Sequence, residues 1–221
     1  IAEKQWRVVK EEYFTPTGRC AEKTQTGLLL ALKYHLSEDE ELTREMLKKL
    51  FRESRNKLNT GFVGTPLLCP ALTKTGHYKI AVDLLLNEDY PSWLYSVNLG
   101  ATTIWERWNS VLPDGKMNPE GMNSLNHYSY GSIEAWMYGD VAGIREAEPG
   151  FRKAVIKPNP DARLKYVDCK METAAGIYES HWKYEEDGSV TYRFHVPFGA
   201  KALICLPDGR TETVAVGDYT Y

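Results

Sequence analysis

The stretch Gly100-Ala101-Thr102-Thr103-Ile104-Trp105-Glu106-Arg107-Trp108 carries the clearest chemical content of this chain. It sets one carboxylate, Glu106, between two tryptophans and beside a guanidinium. Apolar rings raise a carboxylate's pKa by desolvation, and a neighbouring Arg lowers it. Such opposed pressures are one way to keep a carboxylate useful as a general base near neutral pH. The glycine and two threonines ahead of it suit a loop rather than a helix interior. The same residues also fit a plainer arrangement, an exposed Glu106–Arg107 ion pair flanked by two core tryptophans, because structural pairs perturb pKa values too.

Histidine is the other side chain with chemistry to offer. Of the five (His35, His77, His127, His181, His195), His35 closes a helical pattern and His195 alternates within a strand pattern. Both read as structural. His127 stands apart, because Asn126-His127-Tyr128 falls where an irregular segment meets a helix, downstream of Glu106. Taken alone it fits either a ligand-contacting or a structural histidine. No GxGxxG, Walker A, GxSxG or HExxH motif occurs, so nucleotide-binding, serine-hydrolase and zincin chemistry have no support and no cofactor is expected.

The elements that must hold Glu106 and His127 are helical. Trp6, Val9 and Tyr13 share one face of a helix over Ala2–Tyr13, ended by Thr15-Pro16-Thr17-Gly18. A leucine-rich helix is expected from Gly27 to His35. Ser37 with Glu40 reads as a capping box opening a longer helix, whose apolar stripe is Leu42, Met46, Leu47, Leu50, Phe51 and Leu58. Beyond the loop Thr60–Pro66 come helices over Leu67–Lys74 and Tyr78–Leu86, a short one from Ser92 to Leu99, and one from Tyr130 to Val141. Val111–Ser124 is rich in turn residues and long enough to be a functional loop. Antiparallel helices joined by glycine-rich loops argue for an α/α toroid or part of one.

Near Gly143–Gly150 the period changes to two. Val190, Tyr192, Phe194 and Val196 alternate with polar residues, and Asp187-Gly188 joins that strand to Tyr178–Glu186 as a hairpin. Lys201–Leu206 and Thr211–Val216 form another around Asp208-Gly209. The reading is an α+β multidomain chain, with part of a toroid over residues 1–147 and a small antiparallel β-sandwich over residues 148–221.

Composition narrows the function classes. A net charge of -3 over 221 residues gives no electrostatic reason to expect nucleic acid or an anionic membrane as partner. No apolar run approaches the ~20 residues of a membrane span. Cys20, Cys69, Cys169 and Cys205 lack ligand spacing and read as small apolar residues of a reducing compartment, which favours the cytoplasm, with two disulfides as the alternative. Six Trp and fourteen Tyr are more than a core needs, and they suit sugar binding as well as packing. The chain opens on Ile1 inside a running helical pattern, so a piece of a longer protein is expected, and targeting is not readable from such a start.

Thr60-Gly61-Phe62-Val63-Gly64-Thr65, Pro91-Ser92-Trp93, Gly100–Trp108 and Asn126-His127-Tyr128 with Tyr130-Gly131 occur in one order. In that order they resemble the bacterial α-L-rhamnosidases of glycoside hydrolase family 78. Pro149-Gly150-Phe151 and Ile156-Lys157-Pro158 extend the resemblance into the β region. It implies an inverting glycosidase on an (α/α)6 barrel with a C-terminal β-sandwich, acting on a rhamnose-containing carbohydrate. It also implies Glu106 as general base, His127 as a rhamnose-binding residue, and Trp105 lining the same pocket. The family's general acid lies in an Asp/Arg/Glu motif upstream of the barrel's second half, and nothing like that motif precedes Glu106 here. About seven helices are read, fewer than six hairpins require. The expectation is therefore the C-terminal part of such an enzyme, close to inactive alone, which self-associates or binds the N-terminal part of the same protein. Competing readings are a non-catalytic carbohydrate-binding or interaction protein built on the sandwich, and an α/α-barrel hydrolase or lyase acting on another sugar.

Overall fold

The computed structural model describes residues 2–221, which fall into two compact units, 2–133 and Glu134–Tyr221. In the first unit the helices are α1 (Ala2–Tyr13), α2 (Gln25–Lys33), α3 (Glu40–Glu53), α4 (Thr65–Lys74), α5 (Tyr78–Leu85) and α6 (Trp93–Asn98). Leu28, Leu29, Phe51, Leu68, Leu72, Val82 and Leu84 are all buried, and α2 packs on α3 and α4 while α4 packs on α5.

Both ends of α3 differ from the sequence reading. The cap of α3 is Asp39, whose Oδ1 accepts from Leu42 N–H at 2.9 Å. Ser37 instead donates its hydroxyl to Asp39 O at 2.8 Å, so it shapes the approach to the helix rather than its first turn. The helix then stops at Glu53, because Arg55 and Asn56 take left-handed backbone with φ of 55° and 57°. Leu58 joins the core from the extended segment beyond. The cap of α6 is Ser92, whose Oγ accepts from Tyr95 N–H at 3.0 Å, and this fixes where the chain turns toward Gly100.

The helix expected over Tyr130–Val141 is three short pieces. A 3-10 turn spans Ser129–Ser132, an α turn, α7, spans Ile133–Trp136, and a π turn spans Met137–Val141.

The second unit holds β1 (Ile144–Glu148), β2 (Lys153–Ile156), β3 (Tyr166–Thr173), β4 (Gly176–Tyr184), β5 (Val190–Val196), β6 (Lys201–Cys205), β7 (Thr211–Val214) and β8 (Gly217–Thr220). They form two four-stranded sheets, β1-β2-β6-β7 and β3-β4-β5-β8. Every pairing is antiparallel except β2–β6, which is parallel. The buried sides carry Ala154, Ile156, Ala202 and Ile204 from one sheet, and Tyr178, Trp182, Tyr192, Phe194 and Val196 from the other. The Tyr178 hydroxyl ties the two sheets, lying 2.9 Å from Phe151 O and 3.0 Å from Lys201 O.

The segment leading into β1 is stitched to the core. Trp182 Nε1 donates to Val141 O at 3.0 Å, and the fully buried Ser180 hydroxyl donates to Ala142 O at 2.6 Å. Gly143 allows this approach. Its φ is 85°, and a Cβ there would meet the Lys157 carbonyl carbon at 2.2 Å, so no other residue fits. Among the described residues no disulfide joins the four cysteines, and no helix is long and apolar enough to cross a membrane.

Candidate active site

Two loop segments of the helical unit run side by side. Glu106 N–H donates to Ser124 O at 2.9 Å, His127 N–H donates to Ile104 O at 2.8 Å, and the Thr103 hydroxyl donates to Leu125 O. Ile104–Glu106 therefore pairs with Ser124–His127 in antiparallel fashion, and this short ladder brings Glu106 and His127 onto neighbouring segments although 21 positions separate them. The Val111–Ser124 loop is the connection that makes the ladder possible. It is ordered by an isolated bridge between Val111 and Met117 and by the buried Asn118, whose Oδ1 accepts from Glu120 N–H at 3.0 Å.

The Glu106 carboxylate is held from the same ladder: Ser124 N–H donates to Oε2 at 3.0 Å. Oε1 has no hydrogen-bond partner among the described residues. Glu106 is half-buried and Trp105 beside it is only 6% exposed, so the tryptophan acts from within the core. Arg107 does not pair with Glu106. Its guanidinium bonds the Glu120 carboxylate and, at 3.4 Å, Gly121 O. The plainer alternative, a Glu106–Arg107 ion pair, is thus not formed, and the two charges next to each other in sequence serve different partners.

His127 is half-buried and flanked by rings. Phe62 stacks on it at 4.8 Å between centroids with 19° between planes, and Tyr128 stacks on it at 5.1 Å, also at 19°. Ser129 N–H points to His127 Nδ1 at 3.4 Å. For that contact Nδ1 is the bare, accepting nitrogen, so the ring proton sits on Nε2. With rings on its faces and Nδ1 occupied, the imidazole offers one edge, a donor at Nε2.

Behind these groups lies an aromatic wall. Tyr130 stacks on Trp108 at 3.8 Å and 11°, and Trp93 meets Trp108 edge-on at 5.2 Å. Trp93 Nε1 donates to Tyr130 O at 2.8 Å, and Trp108 Nε1 donates to Thr60 O at 3.4 Å. Burial pushes the Tyr130 hydroxyl above its ordinary pKa, with the nearby Tyr90 adding to the rise and Arg107 opposing it. The Thr60–Thr65 loop reaches the wall because the two threonine hydroxyls bond each other at 2.8 Å in the interior. A Cβ at Gly64 would meet Thr26 Oγ1 at 2.4 Å, so a larger residue there would force the threonine side chains around it to shift.

The structure thus brings Glu106, His127 and Trp105 to one loop pair, and adds Ser124 and Phe62 as their immediate supports. Phe62 belongs to a motif visible in the sequence, but its contact with His127 spans 65 positions and has no local signal. Ser124 acts through its backbone N–H and carbonyl, which every residue type but proline carries.

Residues 2–141 match the bacterial alpha-L-rhamnosidase 6 hairpin glycosidase domain, and residues 143–220 match the bacterial alpha-L-rhamnosidase C-terminal domain. The chain belongs to this family. An alpha-L-rhamnosidase of Formosa agariphila is 40% identical over 200 residues, which cover 90% of this chain and 22% of that protein. One from Alteromonas sp. (strain LOR) is 42% identical over 179 residues, 79% of this chain and 20% of the relative. Among solved structures, the native enzyme from Aspergillus terreus superposes with a TM-score of 0.94 at 33% identity, covering 99% of this chain and 26% of that one. The Streptomyces avermitilis alpha-L-rhamnosidase complexed with L-rhamnose gives 0.91 at 31% identity, covering 99% and 23%. The chain therefore spans between 20% and 26% of the length of these relatives.

Proposed function

We propose that this chain carries the general base and part of the sugar site of an inverting α-L-rhamnosidase that removes terminal rhamnose from glycosides or polysaccharides. The observation that carries the reading is the ladder that places Glu106, pinned at Oε2 by Ser124, beside His127 inside a rhamnosidase glycosidase domain.

In an inverting hydrolysis one carboxylate takes a proton from water as that water attacks the anomeric carbon, on the face opposite the leaving group. A separate carboxylic acid protonates the glycosidic oxygen, and the two stand roughly 6.5–9.5 Å apart to admit the water. Glu106 suits the base role. Oε2 is fixed by a backbone N–H, so the remaining oxygen is oriented without a second side chain and is left to accept the proton. His127 Nε2–H donates to a rhamnose hydroxyl, and Trp105 backs the pocket from the core. The general acid is supplied by a segment of the enzyme outside residues 1–221, and that segment is the chain's natural partner.

The test is Glu106→Gln in the protein expressed from its complete gene. The amide still accepts from Ser124 N–H, so folding should be unchanged, while kcat on an aryl α-L-rhamnoside should fall by about 10²–10⁴-fold. Azide should restore turnover and give β-L-rhamnosyl azide, the product of a single inversion. Near-normal hydrolysis by the variant would remove Glu106 from the role.

A further inference from the structure

Six rings form a continuous series in the helical unit, running Trp93, Trp108, Tyr130, Phe62, His127 and Tyr128. Their successive centroids lie 5.2, 3.8, 5.5, 4.8 and 5.1 Å apart. Exposure grades along it. Trp93 and Tyr130 are 6% and 7% exposed, Phe62 is 36% exposed, and Tyr128, the last ring, is 86% exposed. A large aromatic left open to water at the end of a stack is already oriented, so a flat ligand that settles on it costs little ordering entropy.

We propose that Tyr128 is the stacking platform for the group to which rhamnose is attached, so that this ring binds the leaving-group side of the substrate. The proposal rests on the reading of His127 as a rhamnose-binding residue. Given that reading, the nearness of Tyr128 to the rhamnose position decides the occupant. Rhamnose meets the Nε2 edge of His127, and Tyr128 covers one face of that imidazole at 5.1 Å between centroids, so its ring flanks the rhamnose position at about the length of one sugar unit. A terminal rhamnose has one neighbour, its aglycone. The chemistry Tyr128 recognises is a flat face of low polarity, either the C–H face of a pyranose or an aryl ring. The backbone of Tyr128 favours the role, since it caps the 3-10 turn at Ser129–Ser132 and Gly131 N–H donates to its carbonyl at 3.0 Å. The platform therefore stands on the turn that follows His127.

The experiment compares Tyr128→Ala and Tyr128→Phe with the parent, using protein expressed from the complete gene. The substrates are a rhamnosyl-glucose disaccharide, p-nitrophenyl α-L-rhamnoside and methyl α-L-rhamnoside, whose aglycone has no face to stack. For Tyr128→Ala we expect kcat/KM on the first two to fall about two- to tenfold relative to the methyl glycoside, the range of one aromatic contact. Tyr128→Phe keeps the ring and should retain the parent's ratios. A loss on the disaccharide alone identifies a sugar face as the ligand, and a loss on the nitrophenyl glycoside alone identifies an aryl face. Equal losses on all three substrates, with weakened inhibition by free L-rhamnose, would mean that the ring only supports His127 and would overturn the proposal. A lowered melting temperature with unchanged ratios would mean that Tyr128 packs against another part of the enzyme, and would overturn it too. A parent inactive on every rhamnoside would instead remove the rhamnosidase reading, and this proposal with it.

Discussion

At the scale of single residues, the site depends on which atoms are left over after the backbone has taken its share. Ser129 N–H takes Nδ1 of His127, which leaves Nε2 as the donor. This yields a test with a sign. The side-chain nitrogen of Gln reaches the place of Nε2, whereas that of Asn reaches only the place of Nδ1. His127→Gln should therefore retain most of the affinity for L-rhamnose. His127→Asn and His127→Ala should lose about 1–3 kcal/mol, the cost of leaving a polar partner unpaired, as read by calorimetry. Equal losses in Gln and Asn would show that the ring and not its Nε2–H is what matters. Glu106 stood out in the sequence by its flanking tryptophans and His127 by the family resemblance, whereas their meeting on neighbouring segments came only with the structure. Ser124 was not legible, since its two contacts with Glu106 are made by main-chain atoms. Nor was the pairing of Arg107 with Glu120, which looked like a Glu106 partner only because it is adjacent in sequence.

At the scale of elements, legibility follows burial. The strands β4, β5 and β6 have one face in the core, so period two stands out, whereas β2 is four residues long and too short to show a period. Its parallel pairing with β6 joins segments far apart in the chain, and no local pattern encodes such a pairing. The capping residue of α3 was misjudged for a different reason: Ser37 and Asp39 are both good caps, and only the path of the chain past Gly18 chooses between them. The outward face of the β3-β4-β5-β8 sheet carries charges in register, with Lys170 opposite Glu179, Glu179 opposite His195, and His195 opposite Asp218. Lys170 Nζ lies 2.8 Å from Glu179 Oε1, and His181 Nε2 lies 3.0 Å from Oε2. The hydrogen bond from Lys170, and then that from His181, holds the Glu179 carboxyl below its ordinary pKa. A carboxylate lowered in the folded state contributes stability that is present above its unfolded pKa, about 4.3. That stability is lost as pH falls through the lower folded value. Glu179→Gln should flatten this acid-side decline in melting temperature while costing at most about 1 kcal/mol at neutral pH. An unchanged slope between about pH 3 and 5 in the variant would mean that Glu179 does not carry it.

At the scale of the whole molecule, the two units differ in how completely they cover their own apolar surface. The β unit encloses Trp136, Tyr178, Trp182 and Phe194, each less than 3% exposed, and its polar core atoms Ser180 Oγ and Trp182 Nε1 find partners within it. The helical unit begins with α1, which has no buried residue. Trp6 and Tyr13, on one face, are 40% and 45% exposed, and what ties the helix down includes the Lys10–Glu38 ion pair at 2.9 Å and the bridge of Phe14 to Cys20. In a ring of helical hairpins each hairpin packs on a neighbour to either side, so an apolar helix face open in 221 residues is a face that a neighbouring hairpin would cover. Soluble monomers rarely leave such patches beyond a few hundred Å² exposed, and patches of that kind drive association. The 221-residue chain by itself should therefore associate with concentration in sedimentation velocity. Trp6→Glu combined with Tyr13→Ser should shift it toward monomer without altering the far-ultraviolet circular dichroism. On the proposed assignment, with Glu106 as the base and the acid on a segment outside residues 1–221, the isolated chain should also fail to hydrolyse p-nitrophenyl α-L-rhamnoside. A chain that sediments as a monomer at every concentration and also turns over that substrate would show that the general acid lies within residues 1–221 and that α1 needs no neighbour.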